Sequence, residues 1–293
     1  MRASLGPYQL VRRIGRGGMA EVHLAIAHGA SGFARRVAIK TLAPELAGEP
    51  ALERALIREA TLAGRLHHRN LVAVHALGVA DGAYYVVMEH VDAGDLAALL
   101  DGALAEPLAL HVARELALGL GYLHAARDDR GLPLGLVHRD VGPANVLVST
   151  TGDVKLADFG IAKATALADL TAAGARKGTY AYMAPEQLAG EPVTAAADQF
   201  GLAVTLIELV SGARPFDGDT PWATMDAIRR GAAELPALPP DLAAIAARAL
   251  ALDPRARFGS IDELGDAIAA AQRARPPAGA PELARWVLTR ITT

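Results

Sequence analysis

Cysteine is absent from this sequence of 293 residues, and its absence excludes several kinds of site. Without thiols the chain can form no disulfide bond, no cysteine-ligated zinc site and no thiol nucleophile. A chain without cysteine fits a reducing compartment. We therefore expect a cytoplasmic protein whose chemistry depends on oxygen and nitrogen groups alone.

The sequence also lacks a basic excess and a long apolar run. Its 29 Lys and Arg residues stand against 32 Asp and Glu residues, which gives a formal net charge of −3. Because nucleic acids and acidic membrane surfaces attract basic proteins, we expect neither as a partner. Apolar runs such as 202–207 end at a charge or a glycine, far short of the about 20 residues that span a bilayer. The first residues lack the apolar core of a signal peptide.

The hydrophobic pattern changes along the chain from strands to helices. Short alternating runs before residue 91 predict strands, with a hairpin turn at Ala80-Asp81-Gly82. Helical periodicity predicts helices at 50–66, 108–126, 221–230, 240–252 and 260–273, and one within 192–212. This change places a boundary between two lobes near residues 91–95.

Two polar motifs stand close together in the middle of the chain. Residues 137–147 read VHRDVGPANVL, in which Asp140 comes five positions before Asn145. A carboxylate can accept the proton of a hydroxyl group, and a nearby amide oxygen can hold Mg²⁺, so this pair suits phosphoryl transfer. Residues 155–160 read KLADFG and add a second carboxylate, Asp158.

The HRD motif, Asn145 and the DFG motif, in this order, resemble the catalytic core of the eukaryotic-type (Hanks-type) protein kinase family. The segments YMAPEQ and DFGIAK look most like those of its bacterial serine/threonine kinases. The resemblance covers about residues 8–271 and implies an α+β fold with two lobes. The N-lobe (8–91) is a small antiparallel sheet with one main helix, and the C-lobe (95–271) is larger and helical. Residues 1–7 are then an N-terminal extension, and residues 272–293 a linker and short tail.

A glycine-rich segment, IGRGGMAEV at residues 14–22, comes early in the chain. Glycines let a backbone approach phosphates closely, although a glycine cluster is more often an ordinary hairpin turn. The family pattern is met except that Ala20 replaces its third glycine. In the VAIK segment, Lys40 resembles the lysine that grips the α- and β-phosphates. Glu59 lies on the apolar face of a predicted helix, and the resemblance favours an ion pair with Lys40 over an exposed helix charge.

The resemblance also assigns residues to the adenine, ribose and phosphate positions of an ATP site. With Lys40, they are Ile14, Gly15, Gly17, Gly18, Val22, Ala38, Met88, Glu89, Val91, Asp95 and Leu147. Met88 takes the gatekeeper position, and the backbone of Glu89 and Val91 faces the adenine edge. Asp95 matches a ribose contact, but the start of a helix would explain an aspartate there equally well.

Two further resemblances concern the support of the site. Asp198, near the start of a predicted helix, resembles the buried aspartate that ties down the catalytic-loop backbone. The alternative is a contact with the helix dipole. Glu186 and Arg257 resemble the ion pair that the family forms between its A-P-E motif and a late arginine.

Residues 161–183 resemble an activation segment, which ends at the A-P-E motif. In relatives with HRD, the arginine, here Arg139, can receive a phosphate carried by that segment. We predict Thr171 as the main autophosphorylation site and Thr165 as the second. Thr179 resembles the segment's structural threonine, although a plain turn residue would look the same.

The resemblance implies a serine/threonine protein kinase that uses ATP with Mg²⁺ or Mn²⁺ and acts on protein substrates. Asn145 and Asp158 hold the metal, Lys40 and Glu59 serve the phosphates, and Asp140 aligns the acceptor hydroxyl and accepts its proton. Autophosphorylation of the activation segment would regulate the enzyme in a signalling role. The sequence does not indicate an oligomeric state.

One departure from the family pattern bears on activity. Serine/threonine kinases usually carry a lysine two residues after the catalytic aspartate, and this chain has Gly142. Another cation could substitute, with Lys163, Arg176 and Lys177 nearest in the sequence. Activity could be lower, or the chain could be a pseudokinase that binds nucleotide and signals as a scaffold. We expect an active enzyme because the other metal, phosphate and acid residues are present. A small-molecule kinase is a third class, against which the complete activation segment argues.

Overall fold

The structure is a computed structural model, which describes residues 4–158, 180–233 and 235–291. The described residues fall into two compact units, the first ending at His90 and the second beginning at Val91. None of the helices in these ranges is long and apolar enough to cross a membrane.

The first unit is a six-stranded antiparallel sheet with one α-helix. Its strands, in the order β1-β2-β3-β4-β6-β5 across the sheet, are β1 (Ser4–Leu5), β2 (Tyr8–Arg16), β3 (Ala20–His28), β4 (Ala34–Leu42), β5 (Val74–Ala80) and β6 (Ala83–Glu89). The helix α1 spans Pro50–Ala63. Asp81 and Gly82, both with positive φ, form the turn between β5 and β6; the turn predicted at 80–82 is present, but Ala80 is still paired in β5.

Side chains that alternate along the strands build two apolar layers, one on each face of this sheet. On one face, Ile39 packs with Val37 and Val87. On the other face, Val86 packs against Leu56 and Ala60 of α1. The period of two along a strand and the apolar stripe of the helix therefore explain why the sheet and α1 form one unit.

The second unit is mainly helical. It contains a small sheet of β7 (Gly94–Asp95), β8 (Val146–Val148) and β9 (Val154–Leu156). Its helices, in the described ranges, are α2 (Leu96–Leu99), α3 (Glu106–His124), α4 (Pro185–Ala189), α5 (Ala196–Ser211), α6 (Pro221–Arg230), α7 (Pro240–Ala249), α8 (Ile261–Arg273) and α9 (Ala280–Ile291). The α+β fold class, with an antiparallel sheet and one main helix in the first unit and helices in the second, is confirmed.

Local signals fix the helix ends. The helix α6 begins at a proline after Thr220, whose side chain accepts a hydrogen bond from Ala223 N, and it ends before Gly231 at φ 63°. Its predicted bounds, 221–230, are confirmed. Most positions of α3 and α5 are buried, so these two helices form the centre of the second unit's core.

The last helix, α9, packs against the rest of the second unit. Leu283 and Val287 on one side of α9 are fully buried. A Cβ atom built on Gly152, in the turn between β8 and β9, would lie 1.9 Å from the carbonyl oxygen of Ala280. Glycine is therefore required at position 152 for the helix start to approach this turn.

Candidate active site

The register of the first unit's sheet brings several predicted nucleotide-binding residues to one face. Val22 on β3 lies opposite Lys40 on β4, and Ala38 on β4 lies opposite Met88 on β6. Residues directly opposite each other in an antiparallel pair share a face, and so do residues two positions apart on one strand. These four side chains therefore share one face of the sheet, as a common binding surface requires.

The glycine-rich segment forms the hairpin between β2 and β3. Gly17 N donates a hydrogen bond of 2.8 Å to the carbonyl oxygen of Ala20, which closes the turn. A Cβ atom at Gly18 would meet nothing within 4 Å, and at Gly15 or Gly17 it would make only an ordinary contact at 3.7 Å. Within the described residues, neither packing nor positive φ requires these glycines. Their effect is to leave the backbone open to another molecule, which suits a phosphate chain.

Lys40 and Glu59 form the predicted ion pair. The Lys40 Nζ atom lies 2.9 Å from Glu59 Oε1, and both residues are 9% exposed. Glu59 is presented by α1, so the packing of this helix on the sheet determines where the ammonium group lies. An ammonium held in this way on the binding face is suited to neutralising phosphate charge.

Other predicted adenine contacts lie at the end of β6 and on β2. Glu89 is the last residue of β6, and its backbone N–H donates to Ala73 O. Its carboxylate accepts a hydrogen bond of 3.3 Å from Ala73 N, so the side chain fixes the end of the strand. Ile14 is a partly exposed apolar residue on β2, and Val91, the first residue of the second unit, is buried.

The second unit places Asp95 and Leu147 next to each other. Asp95 on β7 lies directly opposite Leu147 on β8. The Asp95 carboxylate accepts a hydrogen bond of 2.8 Å from Ala98 N and so caps α2. The alternative that the sequence allowed for Asp95, a cap at the start of a helix, is therefore observed. The cap uses one of the two carboxylate oxygens.

The catalytic loop brings the acid and the amide together. Asn145 Nδ2 donates to the backbone oxygen of Asp140 at 2.8 Å and to its Oδ2 atom at 2.6 Å. Asn145 N donates to Gly142 O, and Ala157 N donates to Asn145 O, which joins the loop to the end of β9. The amide thus orients the Asp140 carboxylate while its own oxygen remains an acceptor for a cation.

Asp198, on the first turn of α5, fixes the backbone of the catalytic loop. It is 1% exposed, and its two oxygens accept hydrogen bonds from the backbone N–H groups of His138 at 2.8 Å and Arg139 at 2.7 Å. The Nε2 atom of His124, at the end of α3, lies 2.8 Å from Asp198 Oδ2. The predicted role of Asp198 is confirmed. His124 is a partner that the sequence did not reveal, because no local pattern links it to the loop.

His138 is fully buried beneath the loop. Its Nδ1 atom accepts a hydrogen bond from Asp140 N at 3.3 Å, and its Nε2 atom lies 3.1 Å from Ala157 O. This pattern fits a neutral imidazole that carries its proton on Nε2. Burial lowers the pKa of His138, and this effect outweighs the attraction of Asp198, Asp140 and Asp158.

Two backbone conformations near the catalytic groups are strained. Arg139 has φ 69° and Asp158 has φ 55°, in the left-handed region that side chains rarely occupy. Such conformations cost about 1–3 kcal/mol each and persist where the surrounding structure over-determines them. For Arg139 that structure is visible, since Asp198 holds its N–H and Gln187 Nε2 donates to its carbonyl oxygen at 2.9 Å.

A divalent metal can be tested against the groups present. Asp158 and Asn145 supply a carboxylate and an amide oxygen, which are hard ligands of the kind that Mg²⁺ prefers. The described residues hold no group of three or more His, Asp or Glu that would form a protein-only metal cage. Mg²⁺ usually keeps waters and shares ligands with substrate phosphates, so two protein ligands fit this cation.

The A-P-E motif is fixed by the predicted late ion pair. Arg257 Nη1 and Nη2 donate to Oε1 and Oε2 of Glu186 at 2.7 and 2.8 Å, and both residues are almost fully buried. Gln187, the next residue, bonds both to Ala184 N and to the catalytic loop at Arg139 O. The sequence did not reveal this role of Gln187.

Several predictions fall on residues outside the described ranges. These are the phosphorylation sites Thr165 and Thr171, the structural threonine Thr179 and the substitute cations Lys163, Arg176 and Lys177. They remain predictions from the sequence.

Comparison with known proteins agrees with this geometry. A model of the protein kinase domain matches residues 8–266 of the chain. This chain belongs to the protein kinase family. The crystal structure of the PknI kinase domain of Mycobacterium tuberculosis superposes with a TM-score of 0.65 at 32% identity, and the match covers 93% of this chain and 98% of that one.

Relatives of this chain include bacterial protein kinases named for different acceptor residues. The tyrosine-protein kinase MasK of Myxococcus xanthus is 39% identical over 274 residues, which are 90% of this chain and 42% of the relative. The serine/threonine-protein kinase PknD of Mycobacterium tuberculosis is 37% identical over 270 residues, which are 89% of this chain and 39% of the relative. The chain spans about two-fifths of the length of these relatives.

Proposed function

We propose that this chain is an active serine/threonine protein kinase, which transfers the γ-phosphate of ATP to hydroxyl groups of protein substrates. The observation that carries the proposal is the catalytic loop. Asn145 orients the Asp140 carboxylate, and Asp198 fixes the backbone that precedes it. A loop held by several hydrogen bonds is preorganised for positioning, which is most of what phosphoryl transfer needs from a protein.

In this proposal each catalytic side chain has an assigned role. Asp140 aligns the acceptor hydroxyl and takes its proton. Lys40, oriented by Glu59, neutralises the α- and β-phosphates. Bound Mg²⁺, held by Asn145 and Asp158, would neutralise charge on the phosphates.

The nucleotide-binding residues of the proposal are those that the family resemblance assigns. The adenine ring, ribose and phosphates would contact Ile14, Gly15, Gly17, Gly18, Val22, Ala38, Lys40, Met88, Glu89, Val91, Asp95 and Leu147. The open glycine hairpin and the shared sheet face support the assignments in the first unit. We assign the kinase domain to residues 8–271 and a cytoplasmic location to the chain.

Regulation by autophosphorylation belongs to the same proposal. Thr171 is the expected main site and Thr165 the second. Arg139, half-exposed and held in a fixed backbone conformation, is the expected partner of the phosphate. A phosphopeptide map of the active protein that lacks both threonines would contradict this part of the proposal.

The acceptor residue is the finer part of the proposal, because the relatives include both a named tyrosine kinase and named serine/threonine kinases. The test is to incubate the purified chain with Mg²⁺, γ-labelled ATP and a generic acceptor protein, and then to identify the labelled amino acids. We expect labelled serine and threonine. Label on tyrosine alone would overturn the assignment.

A second candidate is a pseudokinase that binds nucleotide and acts as a signalling scaffold. Gly142 favours it, since no cationic side chain stands at this position of the catalytic loop. The two candidates share the binding residues, so nucleotide binding does not separate them. Binding of ATP without label transfer would select the scaffold.

A further inference from the structure

The helix α9 lies after the residues that the family model matches, but it is a fixed part of the second unit. The match ends at residue 266. Leu283 and Val287, one helical turn apart, are fully buried. In the connection before α9, the Arg275 guanidinium donates to Glu106 on α3 and to Asp241 on α7. The helix is therefore anchored firmly enough to hold the elements that it contacts.

The start of α9 lies against the turn between β8 and β9. Within this turn, Gly152 N donates to Ser149 O at 3.0 Å, and Asp153 Oδ2 accepts a hydrogen bond of 2.7 Å from Ser149 Oγ. A Cβ atom on Gly152 would lie 1.9 Å from the carbonyl oxygen of Ala280 and 2.7 Å from its carbonyl carbon. Because the two backbone segments are this close, a shift of α9 and a shift of the turn are linked.

The turn is joined to residues of the proposed nucleotide site on both of its sides. It follows β8, which carries Leu147, and Leu147 lies opposite Asp95 on β7. Thr150 donates to both oxygens of the Asp92 carboxylate, from its N–H group at 2.8 Å and from its hydroxyl group at 2.6 Å. Since Asp92 comes three residues before Asp95, the turn also fixes the segment that leads into β7.

A second contact of α9 is with α2. Asp95 caps α2 through a hydrogen bond of 2.8 Å from Ala98 N. Just after α2, Asp101 Oδ2 lies 3.6 Å from Arg290 Nη1 of α9, an exposed ion pair that contributes little energy. The helix α9 therefore contacts both the turn that follows Leu147 and the helix that Asp95 caps.

We propose that α9 is a positioning element for the adenine and ribose contacts of the nucleotide site. It holds the β8–β9 turn and α2, and through them the side chains of Leu147 and Asp95. Coupling of this kind is carried by contiguous packed elements and hydrogen bonds, and here all of them belong to the second unit. The inference rests on the proposed kinase function and deepens it, since it adds a remote helix to the elements that determine ATP affinity.

The test is the ATP affinity of Gly152→Ala, because the added methyl group must push α9 away from the turn. The matched control is Gly131→Ala. Both glycines have positive φ, 86° and 80°, so the backbone strain is similar, but a Cβ atom on Gly131 would meet nothing within 4 Å. We expect the Kd for ATP to rise about tenfold in Gly152→Ala, on the order of one lost hydrogen bond to a carboxylate, and to stay at the wild-type value in Gly131→Ala.

The loss of affinity should be specific to the nucleoside part of ATP. Adenosine has no phosphate groups, so its Kd reports the adenine and ribose contacts, and it should rise by the same factor as the Kd for ATP. The kcat of label transfer at saturating ATP should change less, since Asp198 and Asn145 fix the catalytic loop. General damage to the second unit would instead lower kcat as well.

Variants on the helix side test the same contact independently. Leu283→Ala removes buried packing of α9 and should raise the Kd for ATP, whereas Leu288→Ala, at a half-exposed position of the same helix, should not. The double variant of Gly152→Ala and Leu283→Ala should lose no more affinity than the worse single variant, because both changes release the same contact. If either single variant does not fold, Val287→Ala takes its place, since it removes less volume from the same buried side.

Three results would overturn the inference. They are an unchanged Kd for ATP in the variants that release α9, an equal rise in Gly131→Ala, and a rise for ATP that adenosine does not share. A wild-type chain that binds ATP but transfers no label would instead overturn the proposed function, and the affinities of the variants could still be compared. The two failures are therefore distinguishable.

Discussion

Replacement of Arg257 by alanine should strongly destabilise the second unit. Arg257 is 2% exposed and Glu186 is 4% exposed, and two hydrogen bonds join them. The guanidinium also donates to the carbonyl oxygens of Ala251 and Ala196, both at 2.9 Å. Arg257→Ala leaves the Glu186 carboxylate buried without its partner, and breaking a buried pair in this way costs about 3–5 kcal/mol. Each kcal/mol of lost unfolding free energy lowers the thermal midpoint by about 2–4 °C in a unit of this size, so the midpoint should fall by about 10 °C.

The assay is thermal and urea unfolding of the whole chain, followed by circular dichroism. The matched control is Arg255→Ala, two residues earlier, where an exposed arginine pairs with the exposed Asp253. A surface pair of this kind contributes little, so we expect no measurable change in the midpoint. If Arg257→Ala behaved like the control, the ion pair would not be what fixes the A-P-E motif, and the reasoning would be refuted.

Three further predictions concern the phosphate lysine, the buried histidine and the last helix. Lys40→Met and Glu59→Gln should each weaken label transfer. The first should have the larger effect, since Glu59 acts through Lys40. Equal transfer by both variants and the wild type would contradict the role of Lys40 in binding phosphates. The free energy of unfolding should fall as the pH drops below about 6.5. Burial lowers the pKa of His138 in the folded chain, so the unfolded chain takes up a proton there that the folded chain does not. His138→Phe should flatten this pH dependence in urea titrations at pH 5–8. Leu283→Ala should cost about 2–5 kcal/mol by leaving a cavity under α9, whereas the same change at the half-exposed Leu288 should cost far less in the same titrations.

Much of the second unit's site was predictable because its residues are close in the sequence. Asp140 and Asn145 belong to one short motif, and hydrogen bonds join them. Asp158 belongs to the next motif, in which Ala157 N donates to Asn145 O. The Lys40–Glu59 and Arg257–Glu186 pairs are distant in sequence, and they were predicted from the resemblance to a family. Each of these charges lies at a position that the fold buries, and a buried charge requires a partner.

The contacts that the sequence did not reveal depend on packing between elements. His124 reaches Asp198 because α3 and α5 are packed together, and no spacing in the sequence encodes that approach. The ring of Tyr182 meets Gly142 through the turn before α4. From the sequence alone, Gly142 was a missing lysine. In the structure the ring of Tyr182 lies beside it, so that a Cβ atom at position 142 would be 3.2 Å from the ring.

The shortest strands and helices also could not be predicted from the sequence. The strands β1 and β7 have two residues each, and α2 has four, too few for a periodic pattern to indicate. Helix bounds differed from prediction mainly where no cap marks the end. The helix predicted at 108–126 spans Glu106–His124, while α6, with its threonine cap and terminal glycine, has the predicted bounds.

The most direct test of the central claim separates catalysis from binding at Asp140. The kcat of label transfer and the Kd for ATP are measured for the wild-type chain, for Asp140→Asn and for the exposed control Asp129→Asn. If Asp140 is the group that aligns the hydroxyl and takes its proton, Asp140→Asn should lower kcat by about 10²–10⁴-fold, with the Kd for ATP nearly unchanged. The control should match the wild type. Equal transfer by Asp140→Asn and the wild type would contradict the account.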